Sequence, residues 1–407
     1  MQDIFKVQSH LVKSLFSLSF LNVLGSIFSY FTTIQLARSL KPESYGAYAN
    51  VLVLASFLMI LVVFGTEQTS SFLYKKGRSI SSIASLTLKW KICVFIALFL
   101  YLLVDELIYD VDDFFLIAAA FGTISLSNIY ELSNRNERFL VVMIVEKIFY
   151  FSSVTILNYF ETLNLDSIFY LLFLTALSSL LFQIYDNWRY LKVGYIQVND
   201  LKYLVKLNLP LVVLSISMFV YGGFSRVFIE YSLGSKNLGV YSAAWQFVTI
   251  ASIFMSQVTR VWRLRLTDAI ISLDLRRLLH SLSSFMILAI LPCVIIGLVL
   301  FFLGEYLVLF IYGSEYIAAV PVFKYFAFYT VTIGFSLLTD ILWVATGKTI
   351  AYMVLNVVMA ICVLIVYIVM RDRMTLLDFA FTTVVSHSLA TILSIGFWFN
   401  RFFKRFI

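Results

Sequence analysis

The sequence predicts an all-α polytopic membrane protein with about twelve transmembrane helices, and three observations carry that expectation. Hydrophobic residues make up 61% of the 407 and charged residues only 13%, against roughly 45–50% and about 25% in a soluble domain. A globular chain cannot hide that excess, because much of its surface stays wet. The apolar runs are about 20 residues long, the length a helix needs to cross ~30 Å of hydrocarbon. Barrel strands would instead alternate over ~10 residues, and nothing but helices and closed barrels satisfies its backbone in lipid. The third observation is the distribution of Lys and Arg between the loops.

Twelve segments are expected at 14–37, 45–72, 84–104, 113–131, 139–160, 167–186, 207–231, 239–261, 279–303, 318–344, 349–370 and 377–400. The first is too long for a signal-peptide core and lacks a small-residue cleavage site, so it reads as a membrane helix. The second runs into Lys75, Lys76 and Arg78. The third starts beside Lys89 and Lys91 and leads to the acidic loop of Asp105, Glu106, Asp110, Asp112 and Asp113. The fourth ends at Arg135 and Arg138, and the fifth and sixth lead to the basic loop 187–206. The seventh meets Lys236 and the eighth runs into the Arg-rich loop 262–278, with Arg260, Arg263 and Arg265 at its inner end. The ninth and tenth close at Lys348, the eleventh at Arg371 and Arg373, and the twelfth at Arg401, Lys404 and Arg405.

With both termini in the cytoplasm, the inner segments hold 22 Lys and Arg and the outer ones 6. That asymmetry obeys the positive-inside rule and favours an even helix count. Arg371 and Arg373 fall on the outer side and are the local exception. The loops also account for the formal net charge of +7, so it gives no reason to expect a nucleic-acid partner. Cys93, Cys293 and Cys362 lie in apolar runs and read as small core residues. His10, His280 and His387 are far apart, and no Cys/His spacing suits a metal. No cofactor is expected.

The chain contains an internal echo. Leu40-Lys41-Pro42-Glu43-Ser44-Tyr45-Gly46-Ala47-Tyr48 and Leu233-Gly234-Ser235-Lys236-Asn237-Leu238-Gly239-Val240-Tyr241 coincide at Leu, Gly and Tyr with a constant offset of 193. A fainter echo pairs Tyr109-Asp110-Val111-Asp112 with Tyr312-Gly313-Ser314-Glu315. A recurrence by chance is the plain alternative. A duplication of six helices would give two like-oriented halves, 1–200 and 201–407, around a central cavity.

At these same residues the sequence resembles a family. The run from Leu36-Ala37-Arg38 to Tyr45-Gly46-Ala47-Tyr48 resembles the first-loop signature of bacterial O-antigen and polysaccharide flippases. These belong to the multidrug/oligosaccharidyl-lipid/polysaccharide exporter superfamily. Ser225-Arg226 through Leu233-Gly234, Gly239-Val240-Tyr241-Ser242-Ala243-Ala244, and Phe310-Ile311-Tyr312-Gly313-Ser314-Glu315-Tyr316 extend the likeness. The resemblance implies two six-helix bundles in the bacterial inner membrane. It implies an undecaprenyl-pyrophosphate-linked oligosaccharide as cargo, with membrane lipids and other polysaccharide-assembly membrane proteins as partners. Gln35 and Thr33 depart from the pattern, since they leave the first helix without a charge deep in its span.

Ionisable groups inside hydrocarbon are costly and point to function. Arg226 and Lys147 are the expected substrate-binding cations, joined by Arg260 and Arg263 at the inner entrance. Guanidinium suits a pyrophosphate because it binds bidentately and keeps its charge. Each has a plain alternative: Arg226 pairs with Glu230 at i,i+4, Lys147 snorkels, and the Arg cluster anchors to headgroups. Asp340, Glu146 and Glu230 are expected to couple transport to Na⁺ or H⁺, with a hydrogen bond to a neighbour as the alternative for Asp340. Glu67 reads as interfacial, and His387 as an interhelical hydrogen-bonding residue.

A drug/cation antiporter of the same superfamily is the second reading. An enzyme such as a polysaccharide polymerase is disfavoured. No outer loop exceeds about 20 residues, and no Walker motif or outer-loop constellation for glycosyl transfer is present.

Overall fold

The computed structural model describes residues 2–109, 114–121, 124–191 and 198–402. They form α1 (Gln2–Val63), α2 (Thr66–Lys75), α3 (Ile80–Tyr109), α4 (Phe114–Phe121), α5 (Ser127–Leu132), α6 (Asn136–Tyr159), α7 (Leu165–Asp186), α8 (Val198–Gly222), α9 (Ser225–Leu233), α10 (Ser235–Ile271), α11 (Leu275–Phe285), α12 (Leu291–Ile311), α13 (Val320–Ala345), α14 (Thr349–Met370) and α15 (Leu376–Phe402). No strand occurs among the described residues.

Nine stretches among the described residues are long and apolar enough to cross a bilayer. One of them, Leu21–Val63, spans 43 residues and carries segments one and two. Segment eight is α10, and segment four is divided between α4 and α5. The fold is therefore the expected all-helical, multi-pass one. Large apolar side chains stand open on its surface, among them Phe302, Phe310, Ile368 and Val369. A soluble protein of this kind would aggregate; here lipid covers them.

Several expected helices are interrupted, each for a local reason. Lys41 has φ 62° and ψ 170°, which ends the first part of α1. Pro42 then opens the second part, where its missing N–H costs nothing. Segment two breaks again at Phe64 and Gly65, both at positive φ. Segment seven, expected unbroken over 207–231, breaks after Gly222: the N–H groups of Gly223 and Phe224 both bond the Phe219 carbonyl, and α9 starts afresh. Segment nine contains a π-helical turn, Met286–Ile290, just ahead of Pro292. The wider turn accommodates a residue that cannot donate and would clash with the carbonyl four residues back. Asp110, Asp112 and Asp113 of the acidic loop lie outside the described residues.

The chain divides into two compact units, Met1–Ser39 with Leu54–Val212, and Leu40–Val53 with Val213–Ile407. In the second unit the core gathers Phe285, Ile290, Cys293, Leu342, Trp343 and Trp398. Both indoles donate to backbone carbonyls, Trp343 to Ser394 at 3.2 Å and Trp398 to Leu342 at 2.9 Å, so no polar atom of theirs is stranded. The first unit is held by smaller clusters, one of Leu73, Ile83, Leu86 and Leu204 and another of Val62, Ile124 and Leu180.

Candidate functional site

The break after Gly222 builds the main feature of the second unit. Gly223 carries no side chain, and a Cβ there would lie 3.2 Å from the Arg226 guanidinium. The guanidinium folds back over this gap, donating from Nε to the Gly223 carbonyl at 3.4 Å. It also lies 5.0 Å from the ring centroid of Trp245 on α10, within cation–π range. Tyr241, Tyr329 and Tyr45 are the neighbours that act on its charge, and no carboxylate among the described residues does so. The alternative pairing with Glu230 is not made. One Glu230 oxygen instead accepts from Ser235 Oγ at 2.6 Å, and the other has no partner among the described residues.

From Arg226 a row of aromatic and polar groups runs through the unit. Trp245 packs on Tyr329 at 5.3 Å, and Tyr329 on His387 at 4.9 Å. His387 is held between Tyr329 and Tyr221, 5.5 Å away on its other side, and neither ring nitrogen has a hydrogen-bond partner among the described residues. The expectation that His387 bonds a neighbouring helix is therefore not met: its ring is clamped by aromatic contacts. Tyr221 donates to Asn356 Oδ1 at 2.5 Å, and Asn356 donates to the Tyr352 carbonyl at 2.8 Å. Tyr352 donates to Asp340 Oδ1 at 2.5 Å and stacks on Trp343. Asp340 thus has a phenol partner rather than Thr339, whose hydroxyl donates to the Phe335 carbonyl. Arg263, exposed on α10, is near enough to act on the Asp340 charge. The side chain of Arg260 lies outside the described residues.

In the first unit the expected residues lie along α6. Lys147 packs against α1: a Cβ on Gly25 would sit 3.4 Å from its Cδ and 3.6 Å from its ammonium nitrogen. Glu146 has Ser179 of α7 beside it, and the Lys147 charge also acts on it. Adjacent helical residues point about 100° apart, so the two serve different seams.

A second polar cluster here was not anticipated. Lys91 was counted with the inner loop, yet its side chain is 1% exposed within α3. Its ammonium donates to the Ser125 carbonyl at 2.8 Å and lies 3.6 Å from Glu67. Glu67 also accepts from Ser127 Oγ at 2.7 Å, so it is a partner within the unit. Beside it Asn128 donates to Ser70 and Thr87 at 3.1 and 3.0 Å. The interruption between α4 and α5 supplies the free Ser125 carbonyl, and the Leu126 N–H there is taken by Gln183 at 2.8 Å. A charge buried this deeply needs such a set of partners. The sequence signal was a Glu and a Lys, each within a long apolar run, on consecutive segments.

Comparison with known proteins agrees with this architecture. A capsular polysaccharide biosynthesis protein, CapF of Staphylococcus aureus, is 23% identical over 396 residues, covering 94% of this chain and 97% of that protein. The inward-facing conformation of a multidrug resistance MATE family transporter of the MOP superfamily superposes with a TM-score of 0.67 at 15% identity, covering 95% of each chain. A MOP superfamily transporter from Pyrococcus furiosus, described as having a binding pocket of reverse polarity, gives 0.62 at 14% identity over 97% of this chain and 96% of that one. These likenesses establish the fold. A family model described as polysaccharide biosynthesis protein matches residues 11–262, more than half of the sequence, and the chain belongs to that family.

Proposed function

We propose that the protein is a flippase that carries a polyprenyl-pyrophosphate-linked oligosaccharide from the cytoplasmic to the outer leaflet, for surface polysaccharide assembly, by alternating access. The observation that carries this reading is Arg226. It is a permanent cation within the second unit, held by an aromatic ring and a carbonyl and neutralised by no carboxylate among the described residues. A fold does not retain an unneutralised charge in hydrocarbon for stability. A diphosphate passing through would supply the missing anion, with two oxygens matched to the guanidinium fork. Lys147, with its ammonium beside Gly25, is the corresponding cation of the first unit. Family membership and the resemblance to CapF support a sugar-bearing cargo.

Asp340 is the proposed coupling carboxylate. Its phenol partner Tyr352 and the nearby Arg263 give it two groups that respond to its charge, so gaining or losing H⁺ or Na⁺ would alter the packing of α13 against α14. Glu146 and Glu230 are the further coupling candidates, each with a hydroxyl neighbour. Arg263, with Arg260, is proposed to gather the pyrophosphate at the cytoplasmic entrance.

The test is a deletion strain without a second flippase. Lipid-linked repeat units should accumulate in the cytoplasmic leaflet. Their normal arrival at the outer face would refute the assignment.

A further inference from the structure

Two adjacent glycines in the second unit open a gap that is bordered by Arg226 and by one tyrosine. A Cβ on Gly222 would meet a single atom from outside its own helix, the Tyr329 hydroxyl oxygen at 3.5 Å, and the space around it is otherwise open among the described residues. A Cβ on Gly223 would meet Nη2 of Arg226 at 3.2 Å. Consecutive Cα atoms are about 3.8 Å apart, so the phenol and the guanidinium border the same opening. They also share a neighbour: Tyr329 and Arg226 lie against the indole of Trp245 at 5.3 and 5.0 Å.

The Tyr329 hydroxyl differs from those of the tyrosines around it. Tyr221 bonds Asn356, Tyr352 bonds Asp340, and Tyr241 bonds Ser225 and Thr383. Tyr329 is 3% exposed and its ring packs on Trp245 and His387, yet its hydroxyl bonds no described residue. The phenol is thus a fixed donor without an acceptor, and a donor of this kind gives its stronger bonds to a charged oxygen. The helix α9 begins at Ser225, two residues beyond the glycines, so the positive end of its dipole favours negative charge at the gap.

We infer that the Tyr329 hydroxyl donates to the second phosphate of a diphosphate whose first phosphate is held by Arg226, and that it thereby selects diphosphate over monophosphate lipids. The inference rests on the flippase reading and names what discriminates the cargo. The guanidinium fork matches two oxygens of one phosphate. A monophosphate then leaves the phenol idle, whereas a diphosphate reaches it across the space at Gly222.

The experiment is binding of radiolabelled farnesyl diphosphate and farnesyl monophosphate to the full chain in detergent. Wild type should prefer the diphosphate. Y329F keeps the ring, so the melting temperature and the monophosphate affinity should hold while the diphosphate affinity falls about tenfold, as for one hydrogen bond to a charged group. G222A tests the opening itself: its methyl group meets the hydroxyl at an ordinary contact distance and fills the space that the second phosphate needs, so the same selective loss is expected. R226Q should weaken both ligands. A wild-type diphosphate preference in Y329F and G222A overturns the inference, and so does an equal loss of both ligands in Y329F; the role of Arg226 stands in either case if R226Q loses both. Wild-type binding of both ligands by R226Q overturns the flippase reading of this site and the inference with it.

Discussion

Gly46 and Gly239 meet as reciprocal partners within the second unit. A Cβ on Gly46 would lie 1.7 Å from the Ser235 carbonyl oxygen, and a Cβ on Gly239 would lie 1.8 Å from that of Pro42. Each glycine thus admits the backbone of the opposite segment, at a distance no other residue tolerates. The four residues stand in two pairs at the same offset of 193, Pro42 with Ser235 and Gly46 with Gly239. One residue earlier, Lys41 and Gly234 share positive φ and extended ψ, at 62° and 170° and at 81° and 169°. The two segments share one local backbone geometry at matching positions.

Replacing either glycine by Ala forces two backbones apart. Overpacking of this kind costs about 1–3 kcal/mol, and backbone partners cannot rotate away, so the upper end is expected. G46A and G239A should each lower the melting temperature in detergent by several degrees. The pair should cost less than the sum of the two, because one separation relieves both clashes. Strict additivity, or melting temperatures equal to wild type, would show that the contact is not close-packed.

The Lys91–Glu67 pair predicts an ordering. Lys91 is 1% exposed and Glu67 34%. E67Q leaves a buried ammonium with the Ser125 carbonyl as its main partner, whereas K91M leaves a carboxylate that water reaches. Breaking a fully buried pair costs about 3–5 kcal/mol. E67Q should approach that range and K91M should fall below it. The reverse order in chemical or thermal unfolding would contradict the assignment of Lys91 as the buried partner.

At Arg226, charge and shape can be separated. R226K keeps a cation but loses the planar contact with Trp245 and the bidentate fork, so transport should fall without vanishing. R226A should abolish it while the protein still folds, since no ion pair among the described residues is broken. Wild-type transport by R226A would remove this residue from the cargo path.

Asp340 and Tyr352 give a coupling test. D340N should transport at a rate that no longer responds to an imposed H⁺ or Na⁺ gradient. Y352F removes the hydroxyl that donates to Asp340 at 2.5 Å and should shift the gradient dependence while retaining it. A normal gradient response in D340N would end the coupling role.

The all-helical, multi-pass character was legible because hydropathy depends on residue type alone. The interruptions were less so. Gly234 and Gly223 advertise a turn and a gap, but Lys41 and Phe64 adopt positive φ although neither is glycine, and nothing local marks them. In-span charges were legible as residues and illegible as partnerships. Arg226 and Glu230 have the spacing to pair, yet the backbone break and Trp245 draw the guanidinium elsewhere. Lys91 was misread because counting charges along the chain assigns any Lys near a helix end to the loop. Its true partners, Glu67 and the Ser125 carbonyl, are 24 and 34 residues away and visible only once the helices pack.

The most direct test of the central claim is reconstitution of the full chain in liposomes carrying a polyprenyl-pyrophosphate-linked oligosaccharide, with the sugar in each leaflet scored by a membrane-impermeant oxidant. The account predicts protein-dependent transfer between leaflets that R226A abolishes. Transfer no faster than in protein-free liposomes, from protein that retains its melting transition, would contradict it.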